Sequence, residues 1–370
     1  MKKNMMLVAA GLMLGSSMAH AIESTRYPEN TTIRPFAKRD RLLVGGLNYV
    51  SPAQLHENEG FRARFGAEMQ QSTVRTGDVE SELTTPQGTL ELAYGWSRFT
   101  LGLGANYLSA ENTGEGDLNF EESFEARKLL PQLAYTFTDN WTIGAGVEMN
   151  WLDVKEKAQT ESSFDYQINR PVVGLAYTTP RFEVGLAYAA EVQETAGLDA
   201  NAQRGDVSLS LAAMPTELQR AVYLPAMTTL YGRGNVTDRV SLMSSVSMAR
   251  YDGNVDGAIE LFDNYKTADR LAAKVLATYW TESRSHISIA ADYKGAATTA
   301  IGAEEAGLGY RLVNLYGGSL EGAYSINRQA YVGLLASYTR GERNDLSNAG
   351  EQFSGKEDTT RFAGFVTVKM

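Results

Sequence analysis

The sequence predicts an all-β fold: a closed antiparallel transmembrane β-barrel of fourteen strands, with short periplasmic turns and long extracellular loops. Three observations predict it. Apolar residues alternate with small or polar ones, many apolar runs begin or end on an aromatic residue, and short and long connections take turns along the chain. Alternation places one set of side chains on each face of a strand. Aromatic ends suit the two interfacial girdles of a membrane barrel, and a tilted strand needs roughly ten residues to cross hydrocarbon.

The elements follow in order. Lys2 and Lys3 precede the apolar run Met5–Leu14, and Ala19-His20-Ala21 has the small-x-small form of a cleavage site, so residues 1–21 read as a secretory signal peptide. Removing 21 residues from 370 leaves 349. Residues 22–40 read as a short N-terminal plug or periplasmic segment, and 41–370 as the outer-membrane barrel. Strands are expected at 88–96, 98–108, 128–138, 141–153, 167–178, 181–192, 225–236, 239–250, 269–281, 285–296, 312–325, 329–340 and 360–370. With both chain ends on the periplasmic side, one more strand must precede residue 88. The segment 41–50 is preferred, with 61–72 extending the first hairpin above the membrane, for fourteen in all. A count of sixteen needs both of these and 205–213.

Two of these strands show the pattern plainly. Phe99, Leu101, Leu103, Ala105 and Tyr107 alternate with Thr100, Gly102, Gly104 and Asn106. Trp141, Ile143, Ala145, Val147, Met149 and Trp151 alternate with Thr142, Gly144, Gly146, Glu148 and Asn150. The second face is too polar for a sandwich core, so it faces water or a filled lumen. Tight turns are expected at Ser97, 138–140, 179–181, 237–238, 282–284 and 326–328; long polar loops at 109–127, 154–166, 193–224, 252–268, 297–310 and 341–359. An open sheet edge in lipid would strand backbone polar groups at several kcal/mol each, so the sheet must close.

Composition excludes several function classes. There is no cysteine, hence no disulfide, thiolate metal site or cysteine nucleophile. After cleavage only His56 and His286 remain, too few for a histidine-rich metal site. The chain carries 34 basic and 44 acidic residues; the leader holds two lysines and no acid, which leaves the mature chain at −12. That charge repels phosphates, so nucleic acid is not an expected partner.

Several stretches resemble the FadL family of outer-membrane transporters for long-chain fatty acids and related hydrophobic compounds: LLPQLAYTFTDNWTIGAGVEMNW (129–151), VVGLAYTTPRFEVGLAYAAEV (172–192), YLPAMTTLYGRGNVTDRVSLMSSVSMARYD (223–252) and TADRLAAKVLATYWTESRSHISIAADY (267–293). The resemblance implies fourteen strands and passive uptake of small hydrophobic molecules across the outer membrane of a Gram-negative bacterium. It also implies an N-terminal hatch ending near Asn-Pro-Ala. No Asn-Pro-Ala occurs here, and Thr32–Ala37 is at most a remnant, so the plug is expected to be short. Met370 stands where such barrels usually end in an aromatic residue recognised by the barrel-assembly machinery; it is in phase with Val368, Val366 and Phe362.

Candidate chemistry lies on the inward phase. Arg233, and after it Arg170 and Lys274, are candidates for holding a ligand carboxylate, because a bare carboxylate in an apolar lumen is prohibitive. The alternative is that they pair with wall carboxylates such as Glu148 or Asp292. His286 and Ser288 share one strand face, but nucleophilic catalysis also needs an orienting acid and an oxyanion donor, so they read as wall residues. No catalytic step, metal or cofactor is expected. The acids Glu111, Glu115, Asp117, Glu121, Glu122 and Glu125 form a solvated loop or a divalent-cation contact to lipopolysaccharide. Residues Pro215–Arg220 suit a short helix in the longest loop, and Arg250 suits lipid phosphate. Membrane lipids, lipopolysaccharide and a hydrophobic small molecule are the expected partners. Two other functions stay open: a structural or surface-interaction barrel, and a general porin.

Overall fold

The computed structural model describes residues 51–369 except 58–59, 77–78, 116–119, 158–160, 180, 193–225, 238, 251–264, 268–269, 282–284, 297–308, 328–329 and 347–351. Its strands are β1 (Gly60–Thr76), β2 (Val79–Trp96), β3 (Phe99–Glu115), β4 (Phe120–Thr136), β5 (Trp141–Lys157), β6 (Glu161–Thr178), β7 (Phe182–Ala189), β8 (Ala226–Asn235), β9 (Val240–Arg250), β10 (Tyr265–Thr267), β11 (Arg270–Trp280), β12 (His286–Ala296), β13 (Gly309–Ser325), β14 (Ala330–Leu346) and β15 (Gln352–Lys369). Each long strand pairs antiparallel with its neighbours, and β1 pairs with β15 from Arg62↔Lys369 to Thr76↔Gly355. The wall is therefore a closed ring of fourteen strands. The three-residue β10 lies outside that count, parallel to the start of β13.

The count agrees with expectation but the first strand differs. The position beside β15 is filled by β1, so residues 61–72 belong to the wall and do not extend a hairpin above it. The ring closes without 41–50, which lies outside the described residues, as do 1–21, 22–40, 205–213, Pro215–Arg220 and Met370. Strands also run further than expected on the side of the long connections. Much of 109–127, 154–166 and 341–359 is paired strand: β3 reaches Glu115, β5 reaches Lys157 and β14 reaches Leu346. Alternation is a signal only where one face is greasy. Once both faces are wet the period-two pattern fades while backbone pairing continues. Pairing skips Thr85–Pro86 between β2 and β3, and Leu130–Pro131 between β4 and β5. Proline lacks the N–H such a ladder needs.

Burial follows the alternation. The outward face exposes Phe65, Met69, Leu101, Leu133, Ile143, Val147, Leu175, Leu186, Ile289, Leu320, Leu334 and Phe362. Ile289 is 64% exposed and Leu334 71%, values at odds with a water-facing surface and ordinary for a lipid-facing one. Beside the short turns, rings touch in a row: Tyr94–Trp96, Trp96–Phe99 and Phe99–Tyr135 have centroids 5.8, 5.9 and 4.7 Å apart, and Trp141–Tyr177 5.0 Å. Tyr107, Tyr188 and Tyr338 mark the opposite border of the belt. From Phe99 to Tyr107 is eight residues, about 20 Å of height at ~3.3 Å per residue and roughly 40° tilt. The shortest turn, Ser97-Arg98, is entered through Ser97 at φ 51.

Candidate functional site: the barrel lumen

The inward phase is polar, charged and small. Its charges meet as cross-strand neighbours, directly opposite for Glu148/Arg170 and Glu183/Arg233 and diagonal by two residues for Lys128/Glu148, Glu68/Arg361 and His286/Glu321. Glu148 of β5 accepts from Lys128 of β4 (Nζ to Oε1, 2.7 Å) and from Arg170 of β6 (Nε and Nη2 to Oε2, 2.9 and 2.8 Å). Arg233 of β8 donates to Glu183 of β7 at 2.6 Å. Arg361 of β15 lies 2.7 Å from Glu68 of β1 and donates to Gln70 at 3.0 Å. His286 Nε2 is 2.9 Å from Glu321 Oε1 and its ring lies against Trp280, 4.6 Å between centroids. Lys274 and Asp292 face each other in register on β11 and β12.

Of the sequence-predicted candidates, Arg170 and Glu148 are thus brought together, and Arg233 is held by a carboxylate the sequence reading had not chosen. His286 and Ser288 are not joined: Ser288 shares a hydrogen bond with Thr278 at 2.8 Å, while His286 meets Glu321. Among the described residues no group of His, Cys, Asp or Glu is arranged to hold a metal ion. Arg127 and the acids beside it are on the outer face, where Arg127 pairs with Glu125 at 3.1 Å and lies 3.7 Å from Asp153. Arg250 is exposed at the end of β9.

The Lys128–Glu148–Arg170 triad has an unequal charge count. Two cations contact one carboxylate, with the Lys128 side chain 11% exposed. Apolar inward residues adjoin it: Leu130 of β4, Val172 of β6, Ala187 and Ala189 of β7, and Met227 of β8 form one buried cluster. Sequence reading missed Lys128 and this cluster. Their signal was present, since Lys128 and Leu130 are in phase with Gln132 and Ala134, but a Leu on the polar face carries no mark of its neighbours four strands away.

On the same arc of the wall lies the chain's own N-terminal turn. Pro52–Glu57 forms a 3-10 turn held by Gln54 N–H to Ser51 C=O at 3.0 Å, and Ser51, Pro52, Ala53 and Gln54 are buried. It rests on inward glycines of three strands. A Cβ on Gly102 would come within 2.7 Å of Leu55; one on Gly144 would overlap Pro52 and Ala53, and one on Gly174 would overlap Ser51. Glycine is required here for close approach rather than for backbone shape. The inward glycines therefore serve as a seat.

Neither a protein-family profile nor a curated protein matches the sequence. Solved structures do. A FadL homologue of Pseudomonas aeruginosa aligns over 86% of this chain and 92% of its own, with TM-score 0.62 and 13% identity. The fold is that of the FadL barrels. The toluene transporter TodX of Pseudomonas putida aligns with TM-score 0.54, and the toluene transporter TbuX of Ralstonia pickettii with 0.52, each at 12% identity over 86% of this chain and 92% of the other. At these identities the likeness carries the FadL architecture. It carries no residue of a ligand site, so the lumen of this FadL-type barrel has to be read from its own side chains.

Proposed function

We propose that the protein is an outer-membrane channel of a Gram-negative bacterium for passive uptake of small hydrophobic molecules such as long-chain fatty acids. The observation that carries this reading is the pairing, on one inner wall, of an apolar cluster with a triad in which two cations contact one carboxylate. An amphiphile needs both: apolar surface for its chain, and a cation for a carboxylate that would otherwise be buried bare. The named neighbours, a FadL homologue and two toluene transporters, support hydrophobic cargo in general. Release proceeds inward past the turn, or sideways where the ladder is interrupted at Pro86 and Pro131. No energy source is needed for a downhill route. No catalytic role is assigned to the wall.

The test is binding of oleate and of toluene to purified, folded barrel. Oleate should bind, Lys128→Met should weaken oleate and leave toluene unchanged, and sugars should not swell liposomes carrying the protein. Absence of binding by both ligands would refute the reading. One observation favours a second reading, a structural barrel with a sealed lumen: Arg233, Arg361 and His286 each already lie against a wall carboxylate, Glu183, Glu68 and Glu321. A folded barrel that binds neither ligand and passes no sugar would establish it, whereas sugar-driven swelling would establish a general porin.

A further inference from the structure

Four successive short turns, from β2–β3 to β8–β9, end alike. The last turn residue accepts, through its carbonyl, from the N–H of the residue that ends the next descending strand. Thr136 donates to Arg98 at 2.9 Å, Thr178 to Asn140 at 2.7 Å, Asn235 to Arg181 at 3.0 Å and Trp280 to Arg239 at 2.7 Å. Three of these four positions hold arginine, each one residue before the start of a strand, at Phe99, Phe182 or Val240. The same turns carry two acids, Asp139 and Asp238.

Arg98 is fixed at both ends. Its turn is only two residues long, closed by the register partners Trp96 and Phe99, and its carbonyl is tied to β4. Its side chain crosses to the β4–β5 turn, where Nη1 donates to the Phe137 carbonyl at 3.3 Å. The residue is exposed, and among the described residues no carboxylate lies within ion-pair reach of it. The outward arginines of the opposite border differ: Arg127 lies 3.1 Å from Glu125, and Arg340 3.5 Å from Asp358. A guanidinium presents five donors in a fork that matches phosphate oxygens, and Arg98 uses one of them. Trp96, Phe99 and Phe137 are exposed beside it, and such a girdle marks the border between hydrocarbon and headgroups. The turn just past that girdle therefore stands at headgroup depth.

We propose that Arg98 and the rings beside it form a docking site for the phosphodiester of an anionic phospholipid in the periplasm-facing leaflet, with Arg181 and Arg239 repeating the position round the rim. The occupant is a lipid because the cation is set against exposed rings, whose neighbours in a membrane are acyl chains. An anionic lipid is favoured over a zwitterionic one, whose own ammonium group competes with the guanidinium for the phosphate. The site fixes the depth of the lower rim and does not depend on what passes through the lumen.

The experiment places the folded barrel in vesicles of phosphatidylcholine and phosphatidylglycerol in which one lipid or the other carries brominated chains. A Trp151→Phe/Trp280→Phe parent keeps only Trp96 and Trp141, both at this rim, so quenching reads the lipid beside Arg98. Brominated phosphatidylglycerol should be preferred about fivefold, the worth of one arginine at an anionic surface. Arg98→Gln should bring that ratio to about one, and Arg340→Gln at the opposite border should leave it unchanged. Equal quenching by the two lipids in the parent, a preference that survives Arg98→Gln, or an equal loss in Arg340→Gln overturns the proposal. Inorganic phosphate replacing chloride at constant ionic strength should leave the preference in place. Its loss there assigns Arg98 to soluble phosphate and overturns the lipid site. Variant folding is read from heat-modifiable migration on gels, and the comparison in the parent needs no change at the rim.

Discussion

Removing the carboxylate of Glu148 should cost far more than removing either cation beside it. The three side chains are 2–11% exposed and joined by contacts of 2.7, 2.8 and 2.9 Å. Glu148→Gln removes the carboxylate that both cations contact. Breaking a buried pair by deleting one partner costs about 3–5 kcal/mol. At ~1.4 kcal/mol per decade, 4 kcal/mol lowers the folded population ratio by about a thousandfold. Lys128→Met leaves the Arg170–Glu148 pair neutral and still doubly hydrogen-bonded, so its cost should stay near 1 kcal/mol, mainly from lost packing of the lysine stem. The assay is urea unfolding of the barrel in lipid vesicles, followed by fluorescence of Trp96, Trp141, Trp151 and Trp280. A Glu148→Gln midpoint within about 1 kcal/mol of the Lys128→Met midpoint would mean that lumen water screens the triad, and the argument for a cationic ligand site there would fail.

Three further outcomes are expected. Gly144→Val should unseat the N-terminal turn while the barrel stays folded, so a cysteine placed at Ala53 becomes reactive to a water-soluble maleimide in the variant and stays protected in the wild-type background; equal labelling would refute the seat. Leu334→Arg should destabilise the vesicle-embedded barrel by about 2–4 kcal/mol, and Tyr338→Arg, four residues higher in the same outward column, by less than about 1, because the cost of an arginine falls toward the interface; equal unfolding midpoints would misplace the lipid belt. Ser97→Gly should raise stability slightly, by about 0.5 kcal/mol, since glycine adopts the positive φ of this turn without steric cost but loses more entropy on folding; a lowered midpoint would contradict the turn geometry.

The fold was legible because a membrane wall writes a strict code. Ile143, Ala145 and Val147 are outward and Gly144, Gly146 and Glu148 inward, as period two requires, and the aromatic ends of β3 and β5 fall at the belt borders. The code says nothing where lipid is absent. β1 carries Arg62, Arg64, Glu68 and Gln70 between Phe61, Phe65 and Met69, a true alternation, yet its outward run gives way to Gln71 and Thr73, with no aromatic residue at that border. Residues 41–50, with Leu42, Leu43, Val44 and Leu47, look greasier and drew the assignment away. Site residues were legible one at a time. Arg170, Glu148 and Arg233 are recognisable as inward charges from a single strand each; that Lys128 joins the first two, or that Glu183 answers the third, depends on register between strands.

The N-terminal turn illustrates the harder limit. Ser51-Pro52-Ala53 has no local property that distinguishes it from a surface turn; what places it in the lumen is a seat built from Gly102, Gly144 and Gly174, on strands about thirty to forty residues apart from one another. Sequence shows the small residues and the turn separately and leaves their meeting to topology. The same separation has an energetic consequence. All fourteen wall strands satisfy their backbone within the ring, from β1–β2 round to β15–β1, without help from the turn. The turn's internal bond, Gln54 to Ser51, likewise draws on no wall group. Wall and turn meet through close packing on glycine. Packing of this kind is lost steeply with a single added methyl group, so one side chain added at Gly144 or Gly174 would force the turn off its seat.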